Sequence, residues 1–300
     1  MNFISILIAL FVEQHRGAAA QPRVFALFQR YIRSLDALLN SGERHHGILA
    51  WWVAVLPVLM VAEAISFGLG RMGLGLGWVA DVVVLSLVID FKSVLQRLSA
   101  LQSDLRQHHL EVVAQRLGFP ALSPPSLSEL VARGIELAVL DIHAHLLAIL
   151  FWYCLLPGPT GALLYVMAML LSREWGDDRS NDFGRFAQKA FYYLDWLPLH
   201  LTAMAFAIVG NFEDALFCWR SQATDSGSSP RIILASAAGA LGIRLGDSTQ
   251  ASRLYGGLEL GVGEAPDTDH LRSAEGMFWR TLVVWLVVIG LMTIAAMVGG

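Results

Sequence analysis

Two runs, "ILAWWVAVLPVLMVAEAISFGLG" (Ile48–Gly70) and "FWRTLVVWLVVIGLMTIAAMV" (Phe278–Val298), come close to the roughly 20 apolar residues a helix needs to cross a bilayer. In hydrocarbon every backbone N–H and C=O must find a partner within the protein, so runs of this length fold as helices. Composition agrees. The chain is 55% apolar and 15% charged, with positive mean hydropathy, whereas soluble domains carry about 25% charged residues. "GWVADVVVLSLVIDF" (Gly77–Phe91) and "LAVLDIHAHLLAILFWYCLLPG" (Leu137–Gly158) read as spans with polar interruptions, and "GALLYVMAMLL" (Gly161–Leu171) is shorter.

Most of the lysines and arginines lie in Glu13–His46, Lys92–Arg133, Arg173–Lys189 and Arg220–Arg272. The positive-inside tendency makes these segments cytoplasmic. Leu197–Gly210 and "IILASAAGALGI" (Ile232–Ile243) then lie between cytoplasmic flanks and are too short to cross. They are either re-entrant segments or interfacial helices shielding other spans. The expected fold is all-α: an integral membrane protein with about five membrane-crossing helices, one or two re-entrant segments and cytoplasmic amphipathic helices. It forms a single membrane domain over 1–300, with a cytoplasmic helical segment at 92–133 and a cytoplasmic loop region at 211–276 around the short apolar run 232–243. "MNFISILIALFVEQHRG" reads as a short retained helix, because it has no basic leader and no small-residue cleavage site.

Local signals refine this picture. In "SVLQRLSALQSDL", Val94, Leu98, Leu101 and Leu105 share one helical face. Ser126 and Glu129 have capping-box spacing after Pro124 and Pro125. In "LDWLPLHL", Pro198 suits a first helical turn, with Asp195 as its N-cap and Gly210-Asn211 as the exit turn. Cys154 and Cys218 are far apart in or beside apolar runs, which argues against a disulfide framework or a metal knuckle. A net charge of -4 without a basic stripe gives no reason to expect a nucleic-acid partner.

Ionisable groups inside apolar runs are costly and mark candidate functional positions. In "ELAVLDIHAH", Asp141 and His145 fall within about 40° of each other and Glu136 and His143 within about 20°, on nearly opposite faces. These spacings favour two separate hydrogen-bonded contacts over a single metal centre. The ligand-binding candidates are Glu136, Asp141, His143, His145, Asp195, His200, Ser228 and Ser229. The last two lie in "GSSPR", whose hydroxyls and backbone N–H groups suit a phosphate. No metal site is assigned; Asp177, Asp178 and Asp182 are weak candidates in a sign-balanced loop.

The C-terminal half carries a resemblance. "SSP", then "AAGALGIRLG" (Ala237–Gly246), "LYGG" and "HLRSAEGMFWRTLVVW" are similar to the adenosylcobinamide-phosphate synthase (CobD/CbiB) family of cobalamin biosynthesis. "YLDWLPLHLTAMAFAIVGNFEDAL" more closely resembles AmpE, a related inner-membrane protein. The synthase resemblance implies ATP-dependent amide synthesis joining an aminoalcohol phosphate to a corrin side chain, with Mg²⁺ and ATP. Motif positions that are polar or acidic in the synthases read Leu140-Asp141-Ile142-His143-Ala144-His145, Met167-Ala168-Met169-Leu170 and Phe191-Tyr192 here, and His200 stands where the family has Arg. These departures lead to the expectation of a degenerate member: an AmpE-like, non-enzymatic sensory or regulatory protein of the bacterial inner membrane, multi-pass with most loops cytoplasmic. The alternative is a divergent synthase. Expected partners are membrane lipid, a small-molecule or corrinoid-like ligand, and a homo-oligomer or membrane-protein partner.

Overall fold

The computed structural model describes residues 2–15, 20–40, 42–71, 77–119, 125–176, 182–223, 229–246 and 259–299. They are overwhelmingly helical, and the extended pairings among them are isolated bridges, Ile243 with Glu264 and Leu245 with Leu260. Three helical stretches are long and apolar enough to cross a membrane: Arg44–Arg71, Leu127–Leu155 and Thr268–Val298. The chain divides into two compact units, 1–90 with 145–198 and 289–300, and 91–144 with 199–288.

The first unit contains α1 (Asn2–His15), α2 (Ala20–Leu39), α3 (Arg44–Arg71), α4 (Gly77–Val88), α8 (Ala148–Leu155), α9 (Thr160–Gly176) and the start of α10 (Arg185–Val209). α1 packs on α4, and α9 packs on α2, α3 and α8. The Gly77–Phe91 run forms a helix of only 12 residues, about 18 Å long. α9 has 17 residues and a fully buried stretch from Tyr165 to Met169.

The second unit contains α5 (Phe91–Arg106), α6 (Leu110–Arg116), α7 (Leu127–Ile142), the rest of α10, α11 (Phe212–Gln222), α12 (Ser229–Leu241) and most of α13 (Thr268–Gly299). The face read from "SVLQRLSALQSDL" is the face α5 buries, through Val94, Leu98 and Leu105. The capping box at α7 is present in both directions: Glu129 N–H donates to Ser126 Oγ at 3.2 Å, and Ser126 N–H donates to Glu129 Oε2 at 2.7 Å. α12 ends where Gly242 takes φ +67. There Ile243 N–H reaches back to Ala238 O and Gly242 N–H to Gly239 O, the Schellman pattern.

The expectation for Asp195 and Pro198 is corrected. Leu197–Gly210 is not an independent short segment; it continues a 25-residue helix that begins at Arg185 and holds Pro198 in its interior. Asp195 is therefore mid-helix, 7% exposed, and accepts from the Tyr165 hydroxyl at 2.7 Å. An interior proline lacks the N–H that would satisfy the carbonyl four residues back. For Pro198 that carbonyl belongs to Leu194, and the Trp152 indole N–H donates to it at 3.1 Å. Pro57 in α3 is compensated in the same way, with the Tyr31 hydroxyl donating to Val53 O at 3.3 Å. The exit turn is as expected. Asn211 caps α11 through Asp214 N–H, and its own N–H donates to Ala240 O. Gly210 is required there because a Cβ would sit 2.6 Å from Ala240 O.

The Trp152 bond gives a coupled prediction. Trp152→Phe should lower thermal stability in detergent by about 1–3 kcal/mol, the cost of an unsatisfied carbonyl away from water. In a Pro198→Ala background, the backbone N–H restored at that position can supply Leu194 O, and most of that penalty should disappear. Equal penalties in both backgrounds would show that the indole acts by packing alone.

Candidate binding site

α7 passes into a π-helical turn, His143–Leu147, before α8. Such turns are rare and frequent at functional sites. Angles counted at 100° per residue hold only up to this turn. Asp141 and His145 accordingly do not form a pair: Asp141 Oδ2 pairs with Arg97 Nη1 at 3.2 Å, while His145 belongs to the first unit, its ring 5.6 Å from that of Phe25. The His145 carbonyl accepts from Asp90 N–H at 3.1 Å.

Within the second unit, His143 is 4% exposed and shares a 3.0 Å hydrogen bond with Thr202 Oγ1. Glu136, 2% exposed, pairs with Arg133 Nη1 at 3.0 Å and accepts from Gly246 N–H at 3.1 Å. That bond ties the "GIRLG" segment to α7. The hollow beside Glu136, lined also by Ser128, Arg244 and Pro266, encloses about 20 Å³, room for roughly one water. His200 lies 5.8 Å from the Trp219 ring.

The structure therefore does not gather the sequence candidates around one centre. Glu136, Asp141, His143 and His200 fall in the second unit, and His145 and Asp195 in the first. Asp177, Asp178, Ser228 and the Ser229 side chain lie outside the described residues. The carboxylate of Asp182 pairs with Arg185 Nε at 3.0 Å, and its N–H donates to Gly42 O.

A ligand-sized cavity does involve Asp141. α5, α6 and α7 enclose about 380 Å³, within the usual range for small-molecule sites. His108, with φ +58, lets the chain reverse so that α6 follows directly on α5. Gly118, with φ +81, closes α6. The floor is apolar, formed by Leu98, Leu101, Val113 and Leu137, and Gly134 lets the Leu101 side chain pack closely on α7, where a Cβ would overlap it. The rim carries two ion pairs, Arg97 with Asp141 and Arg116 Nη1 with Asp104 Oδ2 at 2.6 Å. Both guanidinium side chains are more than half exposed, at 58% and 64%, while the carboxylates of Asp141 and Asp104 are 28% and 24% exposed, so the pairs are open on the arginine side. Pairs this open contribute only about 0–1 kcal/mol to folding, so they can exchange partners with a ligand at little cost. The cavity can hold a small zwitterion, with its anion on Arg97 or Arg116 and its cation on Asp104 or Asp141. Only Asp141 of these four was a sequence candidate; Arg97 and Asp104 are ordinary polar positions of "QRLSALQSD", and Arg116 lies outside it.

The Mg²⁺ and ATP implied by the synthase resemblance are not supported at the motif positions named for them. Met167, Ala168 and Met169 are fully buried in α9, and none of these side chains, nor Leu140, Phe191 or Tyr192, is a hard oxygen ligand of the kind Mg²⁺ prefers.

The buried pair yields a stability prediction. Glu136→Gln retains an acceptor for Gly246 but strands the Arg133 charge, and should cost about 3–5 kcal/mol in a detergent unfolding assay. Arg133→Met combined with Glu136→Leu should recover most of that loss; a double variant as unstable as the single one would show that the Gly246 bond is the larger contribution.

Comparison with known proteins places the chain. The model of the CobD/Cbib protein family matches residues 6–278. Cobalamin biosynthesis protein CobD of Stutzerimonas stutzeri (strain A1501) is 31% identical over 299 residues, covering 96% of both chains. Cobalamin biosynthesis protein CobD of Chromobacterium violaceum is 28% identical over 249 residues, covering 79% of this chain and 73% of that protein. No solved structure matches significantly. With this coverage, the chain belongs to the CobD/CbiB family.

Proposed function

We propose that this chain acts in cobalamin biosynthesis, in the ATP-dependent amide synthesis that joins an aminoalcohol phosphate to a corrin side-chain carboxyl, with ATP as the co-substrate whose phosphate carries away the carboxyl oxygen. The reading that carries over is thus the synthase alternative. Its main support is the likeness to proteins named for cobalamin biosynthesis along nearly the whole chain. The α5–α6–α7 cavity supports it chemically. An aminoalcohol phosphate is a small zwitterion, and Arg97 and Arg116 suit its phosphate as charge-assisted donors. Asp104 and Asp141 suit its ammonium as charge-assisted acceptors that would orient the amine.

In this reading the protein sits in the bacterial inner membrane with about five crossings: α3, α4, α7 with α8, α9 and α13. The segments 92–133 and 211–276 face the cytoplasm, where soluble substrates are met. The end of α10 and α12 are re-entrant or interfacial elements. Lipid surrounds the spans, and the corrinoid is the larger ligand. Cysteine labelling tests the topology: a residue introduced within 211–276 that reacts from the periplasmic side would exclude this orientation.

A second reading, an AmpE-like modulator without catalysis, is favoured by the apolar residues at Met167–Leu170 and by Phe191 and Tyr192. Expression in a strain lacking its cobinamide-phosphate synthase separates the two. The expected result is cobalamin-dependent growth, reduced about tenfold or more by Arg97→Gln or Asp141→Asn because charge-assisted contacts to substrate are lost, with folded protein at wild-type amount. Absence of growth despite confirmed membrane insertion favours the modulator.

A further inference from the structure

The entry to α3 and its first residues read "GERHHG" (Gly42–Gly47). Glu43 Oε2 lies 3.2 Å from His45 Nε2 and 3.6 Å from His46 Nδ1. The ligating atoms of all three residues fall within 4.8 Å of one another, the one such trio of His, Cys, Asp or Glu side chains among the described residues. We propose that Glu43, His45 and His46 form a binding site for a divalent transition-metal ion of the zinc type.

The geometry suits that ion. Zinc bonds of about 2.0–2.1 Å in a tetrahedron set neighbouring ligand atoms roughly 3.3–3.5 Å apart, close to the two spacings from Glu43; the His45 and His46 rings, with centroids 4.2 Å apart, must rotate to converge on the ion. Two imidazoles and a carboxylate form a borderline donor set that favours zinc, nickel or copper over magnesium or calcium. A three-residue set leaves the fourth position for water. Binding requires His45 neutral with its proton on Nδ1 and His46 neutral with its proton on Nε2.

The backbone that carries these donors is held in place. Asn40 Oδ1 accepts from Gly42 N–H at 3.0 Å, and Gly42, at φ +81, accepts from Asp182 N–H at 3.2 Å. Gly47 N–H donates to Glu43 O at 3.2 Å. Gly47 also packs so closely on Phe183 that a Cβ would overlap its carbonyl. Two features oppose a cation, Arg44 and the positive end of the α3 dipole. The three side chains are also solvated, at 61%, 68% and 45% exposure. Affinity is therefore weaker than that of a structural zinc site, and the ion is not needed for folding.

The test uses the untagged full chain in detergent near neutral pH, titrated with Zn²⁺ by calorimetry and with Co²⁺ by visible absorption. The expected result is one ion per chain, with binding weakened about tenfold or more by Glu43→Gln and abolished by His45→Ala with His46→Ala, and weakened on acidification as the imidazoles protonate. Thermal unfolding without metal should be the same for all variants, because the three side chains are exposed. No Zn²⁺ binding by the wild-type chain up to about 1 mM, the weak end of measurable affinity, would overturn the proposal. So would binding that survives in the double-histidine variant.

Discussion

A carbonyl that loses its helical partner in an apolar setting must find another donor, and this requirement shapes the first unit. Two of its helices contain interior prolines, each leaving one carbonyl without its usual bond. In each case an aromatic side chain from a different helix supplies the donor: Tyr31 for Val53 and Trp152 for Leu194. Aromatic residues with a polar tip are suited to this, since the ring packs among apolar neighbours while its single donor reaches the backbone. Each bond also fixes the rotation of one helix against another. α2 is tied to α3 at the depth of Pro57, and α8 to α10 at the depth of Pro198.

The second unit meets the same requirement with charge. Glu136 satisfies the Gly246 N–H while neutralising Arg133, so one buried carboxylate anchors both a helix and the extended segment after α12. The Arg97–Asp141 and Arg116–Asp104 pairs have similar lengths but are open on their arginine side. A buried pair is costly to break and a solvated pair costs little. Position therefore separates the charges that hold the fold from those available to a ligand.

What the sequence reveals follows from how local each interaction is. The capping box at Ser126, the buried face of α5 and the turn at Gly210-Asn211 depend on residues a few positions apart, and each is read correctly. Pro198 is misplaced because a proline in a first turn and one in a helix interior look alike locally. The donor that makes the interior tolerable, Trp152, is 42 residues from the carbonyl it serves. Asp141 stands out as an acid in an apolar run, but its partner Arg97 lies on another helix and attracts no notice alone. The α5–α6–α7 cavity escapes the sequence for the same reason: no single stretch contains it.

The π turn at His143–Leu147 has a consequence for reading relatives of this chain. It accommodates more residues per turn than the α-helix around it, so the faces before and after it are offset from a regular count. Removing one residue there would restore an α-helical ladder while leaving the faces of α8 where they are, because the extra residue is taken up within the turn itself. A correspondence drawn by counting residues through "DIHAH" holds only between chains that share the turn, and where a relative lacks it, the residue equivalent in space lies one step away in sequence.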